Sequence, residues 1–123
     1  MNKPTPKERL EHIRGSILKI KSFVKNLSTD DFLSDILVQN AVLYQFIIIG
    51  EAIRHVDKSI LDKYQYPWHI PRSFRNFLAH EYHKIRLESV YNAANDLDEL
   101  LQTMRSFAGA HDDGYVRLRE GGH

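Results

Sequence analysis

Over the first quarter of the chain the apolar positions keep a helical period. Leu10, Ile13, Ile17, Ile20 and Val24 recur at three- and four-residue steps, which predicts one buried stripe on a helix over about residues 6–26. Thr5 followed by Pro6 has the pattern of an N-cap and a first-turn proline. The stretch "NLSTDDF" breaks that helix. Within it Ser28, with Asp31 three residues on, resembles a capping box that opens a short helical piece. A long helix follows, about 35–57. Leu33, Ile36, Leu37, Ala41, Leu43, Tyr44, Phe46 to Ile49 and Ile53 make it apolar around much of its girth, the pattern of the most buried helix in a domain. "DKSILDKYQYPWHIP" reads as an irregular connector holding a turn of helix at most, with Pro67 and Pro71 ending regular structure. A short helix at about 71–80 comes next. The last helix, about 87–108, has Leu87, Val90, Ala94, Leu97, Leu101, Met104 and Ala108 on one face, and Gly109 is placed to stop it.

Three long amphipathic helices and a shorter one predict an all-α fold, an antiparallel four-helix bundle with a short additional helix. The bundle is expected in residues 1–108 and a flexible or partner-docked C-terminal tail in 109–123. No strand alternation or internal repeat stands out. A chain of 123 residues is enough for one such core. A bundle lacks the deep cleft of an α/β enzyme, so a site must lie between helices, at a bundle end, or on a seam between copies.

Composition narrows the chemistry. With 42 % hydrophobic and 27 % charged residues the chain falls in the soluble globular class. It has no cysteine, which excludes disulfides, thiolate catalysis and cysteine-based zinc sites. No secretory signal is visible at the N-terminus and the longest apolar run, "FIIIG", is too short to span a bilayer, so a cytoplasmic location without membrane contact is expected. "HDD" at 111–113 lacks the spaced further ligands a metal site needs, and no glycine-rich phosphate loop is present, so no metal and no cofactor are expected. Net charge is only +1, but its distribution is uneven. Residues 1–26 carry seven Lys/Arg against two Glu, and residues 52–86 carry seven Lys/Arg against three acids. Residues 27–51 and 87–123 are acidic. The second basic segment permits a polyanion close by.

That segment contains "RNFLAHEY", residues 75–82, where Arg75, Asn76, His80, Glu81 and Tyr82 crowd polar groups into what otherwise reads as helix. Asn76 and His80 share a helix face. Arg75 and His80, five apart, would sit about 140° from each other on an unbroken helix. They converge if the helix loosens or ends between them, or if two copies of the motif meet across a symmetry axis. The residue types suit cleavage of an RNA phosphodiester without a metal. Histidine moves protons near neutral pH, arginine grips phosphate oxygens, and tyrosine stacks on a base or donates to phosphate. One imidazole does not easily serve as base and acid in one step, and a symmetric dimer would supply two.

Arg75, four residues, His80, one residue, Tyr82 resembles the R-x4-6-H-x-Y signature of HEPN domains (higher eukaryotes and prokaryotes nucleotide-binding). "FIIIGEAIRHV" at 46–56 resembles the IGEA helix of the HepT branch, "PWHIPRSFRNFLAHEY" its motif helix, and "LESVYNAANDLDELL" its final helix. The likeness covers roughly residues 7–105. It implies a HEPN-like four-helix-bundle toxin that acts as a dimeric, metal-independent ribonuclease on RNA. It also implies a minimal nucleotidyltransferase as antitoxin partner, which transfers AMP to the motif tyrosine, here Tyr82. By that likeness Arg75 and His80 would be catalytic; Glu51, by its charge alone, would orient Arg75, and Asn76, on the face of His80, would support the site. The sequence departs from the pattern where an acidic residue often opens the final helix; Arg86 stands there instead.

Blander readings stand beside these. Arg75 and His80 could form a helix-end ion pair with Glu81 or another acid. Glu51, in an apolar helix, needs a cation, either Arg75 or the local Arg54. Trp68 between prolines reads as a packing plug, and His55, His69 and His111 as surface or packing residues. The competing functions are a non-catalytic helical module that binds nucleotide or partner within a nucleotidyltransferase complex, and a helical oligomerisation domain.

Overall fold

The computed structural model describes residues 3–111, without the side chains of Tyr82 and residues 107–111. Its helices are α1 (Pro6–Val24), α2 (Thr29–Leu33), α3 (Ile36–Arg54), α4 (Lys58–Leu61), α5 (His69–His80), α6 (Leu87–Ala94) and α7 (Asp98–His111), with a single 3₁₀ turn at Tyr82–Lys84 between α5 and α6. Among the described residues there is no strand. The expected all-α bundle is therefore observed. The part of the expected tail beyond residue 111 lies outside the described residues.

The predicted starts of the early helices have clear local causes. Thr5 Oγ1 accepts the Glu8 N–H at 3.1 Å while Glu8 Oε1 accepts the Thr5 N–H at 2.9 Å, a reciprocal capping box. Ser28 and Asp31 repeat it at α2. Asp35 Oδ1 accepts the Val38 N–H at 3.1 Å and opens α3. Asn26, at φ 63°, takes the left-handed conformation that follows the end of α1.

α3 is the centre of the bundle, packed along α1 on one side and α5 on the other, while α7 closes against α1. Ile13, Ile17 and Ile20 of α1 meet Val42, Ile49 and Ile53 of α3 in a core completed by Phe32, Val90, Leu100 and Met104. Gln39 is buried, and its amide donates to the Phe32 and Leu33 carbonyls, satisfying the end of α2. α3 is long and apolar enough to cross a membrane by length and composition, and half of its apolar span is buried inside the bundle. It is not apolar-buried all round: Ile36, Leu37 and Tyr44 are exposed, so the apolar girth read from the sequence includes an outer face.

Several boundaries differ from expectation, and α3 ends at Arg54, three residues short of the expected 57. α5 starts at His69, two residues before Pro71. Pro71 falls at its third position, where no intrahelical partner awaits the missing N–H, so the proline is tolerated rather than disruptive. The last helix is two. Asn95 donates its side-chain amide to the Tyr91 carbonyl, and its backbone N–H also turns onto that carbonyl and that of Asn92, closing α6. α7 then restarts at Asp98 while Leu97, Leu100 and Leu101 stay buried. Gly109 does not stop α7, which continues through His111; glycine weakens a helix by about 1 kcal/mol without forbidding it.

Candidate active site

The site begins with a glycine. α5 comes so close to α3 that a Cβ on Gly50 would lie 2.1 Å from Arg75 Cβ and 2.6 Å from its Cγ, with the Pro71 carbonyl oxygen at 3.1 Å. Only a residue without a side chain allows that approach. The Arg75 stem therefore lies on the backbone of α3, and its head arrives one residue further along, at Glu51. Phe46 and Phe74 lock the same crossing in an edge-to-face pair with centroids 5.0 Å apart. Trp68 is buried at the start of α5 and donates its indole N–H to the Leu61 carbonyl at 3.0 Å, as a packing plug would.

Glu51 gathers three cationic or potentially cationic groups. Arg75 Nη2 lies 2.8 Å from its Oε2. Arg54 Nη1 lies 3.9 Å from the same oxygen, and His55 Nε2 hydrogen-bonds Oε1 at 2.9 Å. The Glu51 carboxyl is held below its ordinary range chiefly by the His55 hydrogen bond; burial, the next largest effect, opposes this, and the charges of Arg54, Arg75 and His55 add smaller lowering contributions. The Arg75 contact is close but not aligned as a hydrogen bond: Glu51 Oε2 and Arg75 Nε are both buried without a hydrogen-bond partner. Arg75 Nη1 donates instead to Asn76 Oδ1 at 3.3 Å.

α5 is continuous from His69 to His80, and the Glu81 N–H still bonds the Phe77 carbonyl. Loosening between Arg75 and His80, one of the two routes to convergence, is thus ruled out. Arg75 faces α3 and is mostly buried, whereas His80 is exposed and makes no hydrogen bond or ion pair among the described residues. Asn76 lies between them: it touches the Arg75 head and sits one turn before His80 on the same face. Phe77, exposed, lies one turn before His80, and Ile70, also exposed, lies at the start of α5. The Tyr82 backbone follows in the 3₁₀ turn; its side chain lies outside the described residues.

Glu81 is not the partner of Arg75; it pairs with Lys84 at 3.4 Å, with His83 at 4.0 Å. His55, read from the sequence as a surface or packing residue, belongs to the Glu51 cluster. Its four-residue spacing from Glu51 was the available signal. His69 is exposed, and the side chain of His111 lies outside the described residues. Arg86 precedes α6 without a side-chain cap, so the departure noted in the sequence leaves that helix start uncapped. An apolar hollow of about 280 Å³ between α3, α5 and the α6–α7 break, with Phe46, Ile49 and Leu97 in its wall, contains none of these polar residues. Among the described residues no three of His, Asp and Glu gather as metal ligands would.

The fold and the cluster together define a helical bundle with its polar site at the crossing of the central helix and the motif helix. The chain belongs to the HepT-like ribonuclease family, whose match, "Ribonuclease HepT-like", spans residues 13–107. It is 27 % identical over 110 residues to "Putative RNase MJ0127" of Methanocaldococcus jannaschii, covering 85 % of this chain and 91 % of that protein. It is 31 % identical over 88 residues to "Putative RNase TTE0752" of Caldanaerobacter subterraneus subsp. tengcongensis, covering 71 % and 79 %. A third relative, "Gamma-glutamylcyclotransferase and putative RNase MJ0434" of Methanocaldococcus jannaschii, is 34 % identical over 79 residues, 63 % of this chain, and the chain covers 36 % of its length. No solved structure matches.

Proposed function

We propose that the chain is a cytoplasmic, metal-independent ribonuclease whose active site is completed by a second copy. It would be the toxin of a toxin–antitoxin pair whose antitoxin, a minimal nucleotidyltransferase, silences it by transferring AMP to Tyr82. The observation that carries the shared site is the unbroken α5. It turns Arg75 toward α3 and His80 toward solvent, so a phosphate between a guanidinium and an imidazole is best served by Arg75 of one copy and His80 of the other. Exposed Phe77, one turn before His80, offers apolar surface for the second copy to cover.

In this mechanism one His80 takes the proton of the 2′-hydroxyl as its oxygen attacks phosphorus. The other His80 gives a proton to the departing 5′-oxygen, leaving a 2′,3′-cyclic phosphate and a free 5′-hydroxyl. Two Arg75 side chains hold the non-bridging oxygens, whose negative charge grows in the transition state. Asn76 steadies the guanidinium and Glu51 holds it in waiting. For silencing, the Tyr82 oxygen attacks the α-phosphorus of ATP, pyrophosphate leaves, and the phenolic proton is lost. The added phosphate then places negative charge and bulk where RNA must lie.

The test is RNA cleavage in excess chelator by the wild-type protein and by His80→Ala and Arg75→Ala. Each variant should lose about 10²-fold or more of the rate. Equal cleavage by all three would contradict the reading. For the antitoxin arm, intact mass should rise by whole AMP units with partner and ATP, and Tyr82→Phe should not respond.

A further inference from the structure

We infer that His55 is a positioning residue for the phosphate-binding arginine: it holds Glu51 so that Arg75 is free to exchange a carboxylate for the phosphate of the substrate. This rests on the ribonuclease reading above. The two contacts to Glu51 are unequal in kind. His55 makes the aligned hydrogen bond, Nε2–H to Oε1 at 2.9 Å, from one helical turn away on the same rigid helix. Arg75 approaches Oε2 to 2.8 Å by charge alone, leaving that oxygen and its own Nε–H without a hydrogen-bond partner. The guanidinium is thus held near the carboxylate without its best geometry, and it forfeits no aligned bond to Glu51 when it turns to a phosphate, which it can meet with two parallel bonds.

The carboxylate it leaves behind is not abandoned. His55 stays on one oxygen, and Arg54 stands 3.9 Å from the other. Glu51 and His55 side chains are 39 % and 42 % exposed against 18 % for Arg75, so the part of the cluster that remains is also the part water reaches. Without His55 the carboxylate would draw Arg75 more strongly and release it less readily. The effect belongs to substrate binding, because His55 moves no proton of the reaction.

The test is steady-state cleavage of a single RNA oligonucleotide in chelator by wild type, His55→Ala, His55→Gln, Glu51→Gln and the Glu51→Gln/His55→Ala double variant. His55→Ala should raise KM roughly five- to tenfold with kcat within about twofold, the scale of one charge-assisted hydrogen bond near solvent. His55→Gln keeps an N–H donor and should recover most of the loss. In the Glu51→Gln background His55→Ala should change nothing further. A fall in kcat at constant KM, or the same KM rise in the Glu51→Gln background, would overturn the inference while leaving the ribonuclease reading in place. A wild-type protein that does not cleave RNA would overturn that reading, and this inference with it.

Discussion

α1, α2 and α3 each begin under a side-chain cap, from Thr5, Ser28 and Asp35, whereas α4, α5 and α6 begin under none. The first three helices are specified locally: the residue that starts each one is suited to that task wherever the chain goes next. The later helices are held by what they pack on. Trp68 precedes α5 but uses its side chain as a plug, and Arg86 precedes α6 with no acceptor to offer the first turn. The candidate catalytic residues all lie in this second half. Their placement depends on the close approach at Gly50 and on the Phe46–Phe74 pair, not on the propensity of "RNFLAHEY" itself. A site built this way couples its geometry to tertiary packing, so damage to the α3–α5 crossing should disable function and fold together, while damage to a cap should cost stability alone.

Gly50→Ala is the strongest way to break that contrast. The new Cβ cannot coexist with the Arg75 stem, so α5 must shift, at a cost of about 3 kcal/mol by urea unfolding, and RNA cleavage should be lost with it. Asp35→Ala should cost about 1 kcal/mol of stability and leave cleavage per folded molecule unchanged; Arg86→Asp, which supplies the missing cap at α6, should add up to about 1 kcal/mol. The smallest expected effect is on acid stability. The Glu51 carboxyl is held below its ordinary value of 4.5, so its contribution is fully present above that pH and is lost as pH falls through the lowered value. Glu8 and Asp31, lowered chiefly by the backbone N–H groups of Thr5 and Ser28, act in the same direction in the capped half. The thermal midpoint should therefore fall on acidification below about pH 4.5, and Glu51→Gln should flatten only part of that decline.

The capped half was legible because its signals are short-range. The stripe from Leu10 to Val24 and the Thr5, Ser28 and Asp31 pattern need only a few neighbouring residues to interpret, and α1 and α2 begin where they indicate. The need of Glu51 for a cation was legible from the cost of a charge in an apolar helix, and both named candidates, Arg75 and Arg54, stand beside it. What the sequence hid was decided over longer distances or by competing local bonds. The α6–α7 break depends on Asn95 capturing the Tyr91 carbonyl, within an apolar stripe that runs on unchanged through Leu97. The start of α5 before Pro71 depends on the proline falling where its missing N–H is harmless. The reason for glycine at position 50 appears only once α5 is laid across α3.

The shared site can be tested by mixing active and inactive chains. A dimer of wild type and His80→Ala holds one imidazole of the two the reaction needs. Equilibrated with a large excess of His80→Ala, wild-type chains should therefore lose most of their RNA cleavage as mixed dimers replace wild-type dimers. If cleavage per wild-type chain stays unchanged although mass measurement shows that the mixed dimer has formed, the site is not shared between copies and the account is wrong.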